Sequence, residues 1–130
     1  MRKTFVSPTF ITLPRKTKAD KVVRLGLNIY RNLHHRTNND VKKRYCESMV
    51  DVLDKVVLRT PIELTFQLYR KTKRQIDTAN ICCIVEKFFC DALVHWGCIE
   101  DDNYKYVVKT TYLPPIFGDE EYCEVCINEV

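Results

Sequence analysis

The strongest constraint on the fold lies between Ile76 and Asp102, in the run IDTANICCIVEKFFCDALVHWGCIEDD. Ile81, Ile84, Val85, Phe88, Phe89, Ala92, Leu93 and Trp96 recur at i, i+3, i+4 and i+7. That spacing predicts a helix with one broad apolar face, which needs a sheet or another helix to cover it. Asp77 stands where an N-cap belongs, and Gly97 suits the left-handed turn that ends many helices. At 100° per residue Asn80, Lys87 and Asp91 fall on a second, polar face. Just past the glycine comes Glu100-Asp101-Asp102.

Aspartates converging near a lysine suit a hard divalent cation, because Mg²⁺ prefers oxygen ligands and keeps part of its water. Phosphodiester hydrolysis uses such an ion to activate water and to stabilise the departing oxygen. Simpler roles exist for the same residues. An aspartate at a helix start is ordinarily a cap, Lys–Asp at i, i+4 is ordinarily a surface ion pair, and acid runs in loops are ordinarily solvated.

The order of these residues resembles the signature of the RusA-like Holliday-junction resolvases. Asp77, Asn80, Lys87, Asp91-Ala92-Leu93, Gly97 and Asp101-Asp102 are the matching pieces. The stretch from Lys87 to Asp102 is similar in spacing. The first part departs: the family has Asp-x-Asp-Asn with the lysine three residues on. Here Ala79 takes the place of the second aspartate and Lys87 follows Asn80 by seven. An insertion of four is about one helical turn, so the face is kept. Asp91 or Glu86 is the candidate to replace the missing acid.

The resemblance implies a small mixed-sheet domain that works as a homodimer on branched double-stranded DNA. Each subunit would nick one of two opposed strands of a four-way junction, with Mg²⁺ or Mn²⁺ as cofactor and no small-molecule cofactor. It implies Asp77 and Asp102 as metal ligands, with Asp91 a further candidate ligand and Asp101 a further catalytic candidate. Lys87 would stabilise charge on the phosphate or orient the water. Asn80 would orient a ligand or a phosphate oxygen. Such small resolvases are often phage-encoded and act in the bacterial host cytoplasm. The alternative is a non-catalytic DNA-binding module that lost its site at Ala79.

The charge distribution is compatible with that expectation. Residues 1–65 carry 14 Lys+Arg against 6 Asp+Glu, and residues 66–130 carry 7 against 11. Basic groups hold phosphates and a compact acidic group holds an ion, although an asymmetric solvated surface has the same arithmetic. The candidate backbone contacts are Tyr30, Arg31, Lys42, Lys43, Arg44, Arg70, Lys71, Lys73 and Arg74. Tyr30-Arg31 is similar to the family's Tyr-Arg segment ahead of the first helix.

A chain of 130 residues suggests one domain spanning 1–130. No apolar run approaches the roughly 18–20 residues of a membrane span, and no apolar stretch follows the basic N-terminus, so no signal peptide is expected. The expected location is the cytoplasm, with no membrane partner. The seven cysteines are an odd number, mostly within apolar patterns, and read as reduced thiols. Cys123-x-x-Cys126 is a poor zinc chelate on a strand, because i and i+3 point to opposite faces.

The remaining pattern predicts the order β-β-α-β-α-β-β, an α/β (α+β) fold of one mixed sheet with two main helices. Residues 1–13 and 22–27 read as strands. Thr37-Asn38-Asn39-Asp40 reads as the cap of a helix running to about residue 56, whose first turns carry Lys42-Lys43-Arg44 against the helix dipole. Residues 62–69 alternate strictly, as a half-buried strand does. Residues 104–113 read as a strand with Asp102 at its entrance. Pro114-Pro115 and Gly118-Asp119 read as a turn, and residues 122–127 as the second arm of a hairpin.

Overall fold

The structure is a computed structural model that describes residues 2–75 and 77–130. It has mixed α and β content. Strand β1 (Arg2–Ser7) is followed by β2 (Phe10–Leu13), β3 (Lys21–Arg24), α1 (Leu27–Asn32), α2 (His35–Ser48) and α3 (Val50–Leu53). Then come β4 (Ile62–Arg70), α4 (Thr78–His95), β5 (Val107–Phe117) and β6 (Tyr122–Glu129). Four strands form one mixed sheet in the order β1-β6-β4-β5, while β2 and β3 form a separate antiparallel pair.

Helix α4 is the crossover between the parallel strands β4 and β5. Ile81, Cys82, Ile84, Val85, Phe88, Phe89, Cys90, Ala92 and Leu93 are all buried on it. The predicted stripe is therefore present, widened by two cysteines that pack as small apolar groups. Phe89 meets Phe5 and Phe66 with ring centres 6.1 and 6.4 Å away, so it joins β1 and β4 under the helix. Phe88 meets Tyr30 and Tyr45 on the other side, at 6.1 and 5.6 Å. Asp77 caps the helix through Oδ1, which accepts from the Ala79 amide at 3.1 Å. Gly97 follows with φ +76°, the left-handed conformation that glycine tolerates.

Strand β4 shows the expected alternation, with Ile62, Leu64, Phe66, Leu68 and Arg70 on the covered face. On β6, Cys123, Val125 and Ile127 are fully buried and Cys126 faces the other way. The two cysteines of the Cys-x-x-Cys thus stand on opposite faces, and all seven thiols are unpaired.

Several expectations are corrected. First, β5 and β6 do not form a hairpin. Strand β6 lies antiparallel between β1 and β4, and β5 is at the edge. The central place goes to the strand with strict apolar alternation. Pro114 and Pro115 lie inside β5, and a strand carrying two prolines is tolerated at an edge. Second, the helix expected from residue 41 begins at His35. Its cap is His34, whose Nδ1 accepts from the Arg36 amide at 3.2 Å. Asn38 lies inside the helix and donates from Nδ2 to the Tyr30 carbonyl at 2.9 Å, tying α2 to α1. Lys42-Lys43-Arg44 therefore sit beyond the first turn, and their conflict with the dipole disappears. Third, residues 27–32, expected ahead of the first helix, are themselves helix α1. The predicted helix to residue 56 is also interrupted at Met49, between α2 and α3.

Phe89→Ala is expected to cost about 3–5 kcal/mol, because it empties the space where β1 and β4 meet α4. Val108→Ala, half exposed on the edge strand, is expected to stay within about 0.5 kcal/mol. Urea midpoints at unchanged m-value are the measurement.

Candidate functional site

The crossover sorts the chemistry-bearing residues into two groups. At the end where β4 stops and α4 starts, Lys73, Arg74, Gln75, Asp77, Pro115 and Phe117 line an open cleft of ≈ 690 Å³. This is the carboxyl end of a parallel strand pair, where open α/β sheets leave room for ligands. Lys71, Lys73, Arg74 and Asp77 are exposed. The positive end of the α4 dipole also faces this side and favours an anion.

Arg70 departs from the expected backbone contact. It ends the inward alternation of β4 and is only 4% exposed. Its Nη1 donates to the Arg74 carbonyl at 3.1 Å, so it braces the basic loop from beneath. Asn80 is also committed. Its Oδ1 accepts from the Leu27 amide at 2.8 Å and the Asn28 amide at 3.4 Å. It thereby satisfies the open amides at the start of α1.

At the other end of α4, Asp91 Oδ2 lies 3.4 Å from Lys42 Nζ on α2. The acidic triplet follows. Asp101 accepts from the Asp102 amide and from Asn103 Nδ2, both at 2.8 Å, which folds it into its own turn. Glu100 accepts from the Tyr106 hydroxyl at 2.9 Å. Asp102 is not at a strand entrance, since β5 begins only at Val107. Its carboxyl is pushed above the usual carboxylate range. Partial burial is the largest cause, followed by the negative charge of Asp91, with Asp101 adding to it. Asp91 and Asp102 are therefore electrostatic neighbours.

Asp77 is not part of that neighbourhood. It precedes Asp91 by 14 positions on one helix, about 21 Å at 1.5 Å per residue. A divalent cation holds its oxygens at about 2.0–2.6 Å, so one ion cannot touch both in a single chain. Among the described residues, no three His, Cys, Asp or Glu side chains gather as a metal site. The carboxylates of one chain do not fit the ion that the resemblance implies.

The remaining candidates are dispersed. Lys87 is exposed on α4, one turn before Asp91 and far from Asp77. Lys43 and Arg44 line a second cleft, ≈ 330 Å³, with Leu13, Pro14, Asp40 and Glu47. Arg31 is exposed in the last turn of α1, while Tyr30 packs edge-on against Phe88. Glu86, considered as a replacement acid, accepts from Thr110 Oγ1 at 3.0 Å and from the Tyr112 hydroxyl, so it fastens α4 to β5. Sequence reading missed Gln75, Pro115 and Phe117 as cleft residues. The signal was the proline pair, which marks an edge strand and therefore an open side.

No family model and no curated protein matches the chain. Among the described residues, no helix is long and apolar enough to cross a membrane.

Asp77 has a structural duty that can be separated from its charge. Asp77→Ala loses the cap and is expected to cost about 1 kcal/mol, whereas Asp77→Asn keeps a capping oxygen and is expected to cost a few tenths. Thermal unfolding of the two variants tests this, and equal losses would show that the cap is not used.

Proposed function

We propose that the chain is a structure-selective endodeoxyribonuclease that resolves four-way DNA junctions by paired nicks, with Mg²⁺ or Mn²⁺. The observation that carries this reading is the cleft of Lys73, Arg74 and Asp77 at the start of α4. It contains Asp77, the first residue of the stretch that resembles the resolvase signature, and it joins phosphate-binding groups to a carboxylate. Lys73, Arg74 and exposed Lys71 would hold backbone phosphates, which position the duplex without reading its bases. Arg70 would hold the loop in shape from below. Lys87, free of any ion pair among the described residues, would meet charge on a phosphate. Arg31, Lys43 and Arg44 would extend the footprint, while Lys42 is neutralised by Asp91.

A non-catalytic DNA-binding module is the second reading. The separation of Asp77 from Asp91 and Asp102 within one chain favours it, because it leaves basic groups without a closed carboxylate set. On either reading the setting is the cytoplasm, that of a bacterial host if the gene is a phage's.

A synthetic four-way junction with Mg²⁺ or Mn²⁺ is the test. Wild type is expected to cut, and Asp77→Asn, Asp102→Asn and Lys87→Ala are each expected to bind but to cut about 100-fold or more slowly. Wild type that binds and never cuts would favour the module. The double variant Lys73→Ala/Arg74→Ala is expected to flatten the plot of log affinity against log salt by roughly 2, near 0.9 per lost phosphate contact. An unchanged slope would remove this loop from the interface.

A further inference from the structure

We propose that the open face of the sheet, across β1, β6, β4 and β5, is a docking surface for another protein, and that it takes a segment in which arginines alternate with apolar residues. The inference concerns the face away from α4 and does not rest on the nuclease reading.

Helix α4 packs on one face of the sheet, and α1 and α2 pack on α4 behind it. Strand register decides what the other face carries. On β4 the half-buried positions from Glu63 to Tyr69, taken by twos, point there. Tyr69 stands beside Tyr122 on β6 and Ile116 on β5. The neighbouring row runs from Leu113 through Gln67 and Glu124 to Val6 on β1. The two tyrosines stack, with ring centres 4.5 Å apart and planes 13° from parallel. Val6, Leu113 and Ile116 are 54, 37 and 45% exposed. Together these side chains make an apolar strip across all four strands, about 14 Å from first to last at the usual strand spacing. A contiguous apolar patch rimmed by charge marks an interaction surface, whereas single exposed apolar residues do not.

Charge decides what covers the strip. At its β1 end an open groove of ≈ 740 Å³ gathers Asp119, Glu120, Glu121 and Glu124 around Tyr122, with Lys71 as the one cation among the described residues that line it. Glu121 is paired with Arg24 at 3.5 Å. Asp119, Glu120 and Glu124 have no ion pair among the described residues. The Tyr122 hydroxyl holds its proton above the ordinary tyrosine range, through partial burial first and then through Tyr69, Glu124 and Glu120. Such a groove repels phosphates and draws a positive segment. Arginine fits it better than lysine. The flat guanidinium stacks on a tyrosine ring and forks to a carboxylate, and Tyr122 with Glu120 and Glu124 offers both in one groove. The apolar residues of the segment lie on Val6, Leu113 and Ile116, which no arginine-rich small molecule would cover.

The probe is a labelled peptide of alternating leucine and arginine, with versions that carry lysine or glutamate in place of arginine, titrated with the full chain by fluorescence anisotropy. The arginine peptide is expected to bind, the lysine peptide to bind more weakly and the glutamate peptide not at all. Tyr122→Ala is expected to weaken the arginine peptide about fivefold. Glu120→Gln/Glu124→Gln is expected to weaken it roughly threefold to tenfold, with a shallower dependence on salt. The carboxamides keep the shape of the acids, so this variant reads charge even where Tyr122→Ala disturbs β6. Asp51→Asn/Asp54→Asn removes two exposed acids at α3 and should leave binding unchanged. A wild type that ignores the arginine peptide, face variants that bind it like wild type, or an α3 control that loses as much would overturn the proposal. The same variants read two other occupants. A single-stranded oligonucleotide whose affinity falls with Tyr122→Ala gives the face to nucleic acid, and a self-associated wild type that Tyr122→Ala dissociates gives it to a second copy. Either result also overturns the proposal.

Discussion

A helix that connects two parallel strands must run from the carboxyl end of one to the amino end of the next, so its own ends lie at opposite ends of those strands. Here that helix is α4, and its packing on β4, β5 and α2 holds the fold together. Its nine buried residues leave it no freedom to tilt or slide. The basic loop before it and the acidic loop after it are therefore fixed about a helix length apart. Every account of what the chain does must respect that separation, because a few kcal/mol of ligand binding would not offset unpacking Phe88 and Phe89.

The two ends differ in electrostatic comfort. At the start of α4, Asp77 is spent on a cap, and the surrounding charge is positive. At the far end, Asp91, Asp101 and Asp102 crowd together, with Lys42 the near cation. Asp102 then holds its proton more tightly in the folded chain than in the unfolded one. Its contribution is favourable below the ordinary carboxylate pKa and is lost as pH rises through the raised folded value, so at neutral pH it opposes folding. A cationic neighbour would reverse that sign.

What could be read from the sequence was whatever a single element decides for itself. Helix α4 was legible because its period, cap and stop agree, and β4 because its alternation is strict. What failed depends on partners distant in the chain. The hairpin of β5 with β6 was the short-range choice, and competition for the central place in the sheet overruled it. His34 was invisible as a cap beside the conventional Thr37-Asn38-Asn39-Asp40 cluster, because which residue starts a helix is settled by how α1 packs on α2. Arg70 looked like one more base in a solvated run, yet the parity of β4 had already assigned it to the covered face. Among the candidate residues, Asp77, Lys73 and Arg74 line one cleft. Asp91 and Asp102 were near each other but remote from them, since a spacing pattern on a helix conveys direction well and axial distance poorly.

That distinction bears on the four-residue shift between Asn80 and Lys87. A turn of helix restores the direction of a side chain but moves it about 6 Å along the axis. Lys87 is thereby carried towards Asp91 and Asp102 and away from Asp77, ten residues and about 15 Å behind it. If a single chain had to assemble the site, the shift would pull the lysine out of it. The lysine lost to Asp77 is gained by the acids at its own end of the helix. The shift thus keeps the lysine on its face of α4 and changes its neighbours, from the acid at the start of the helix to those at its end.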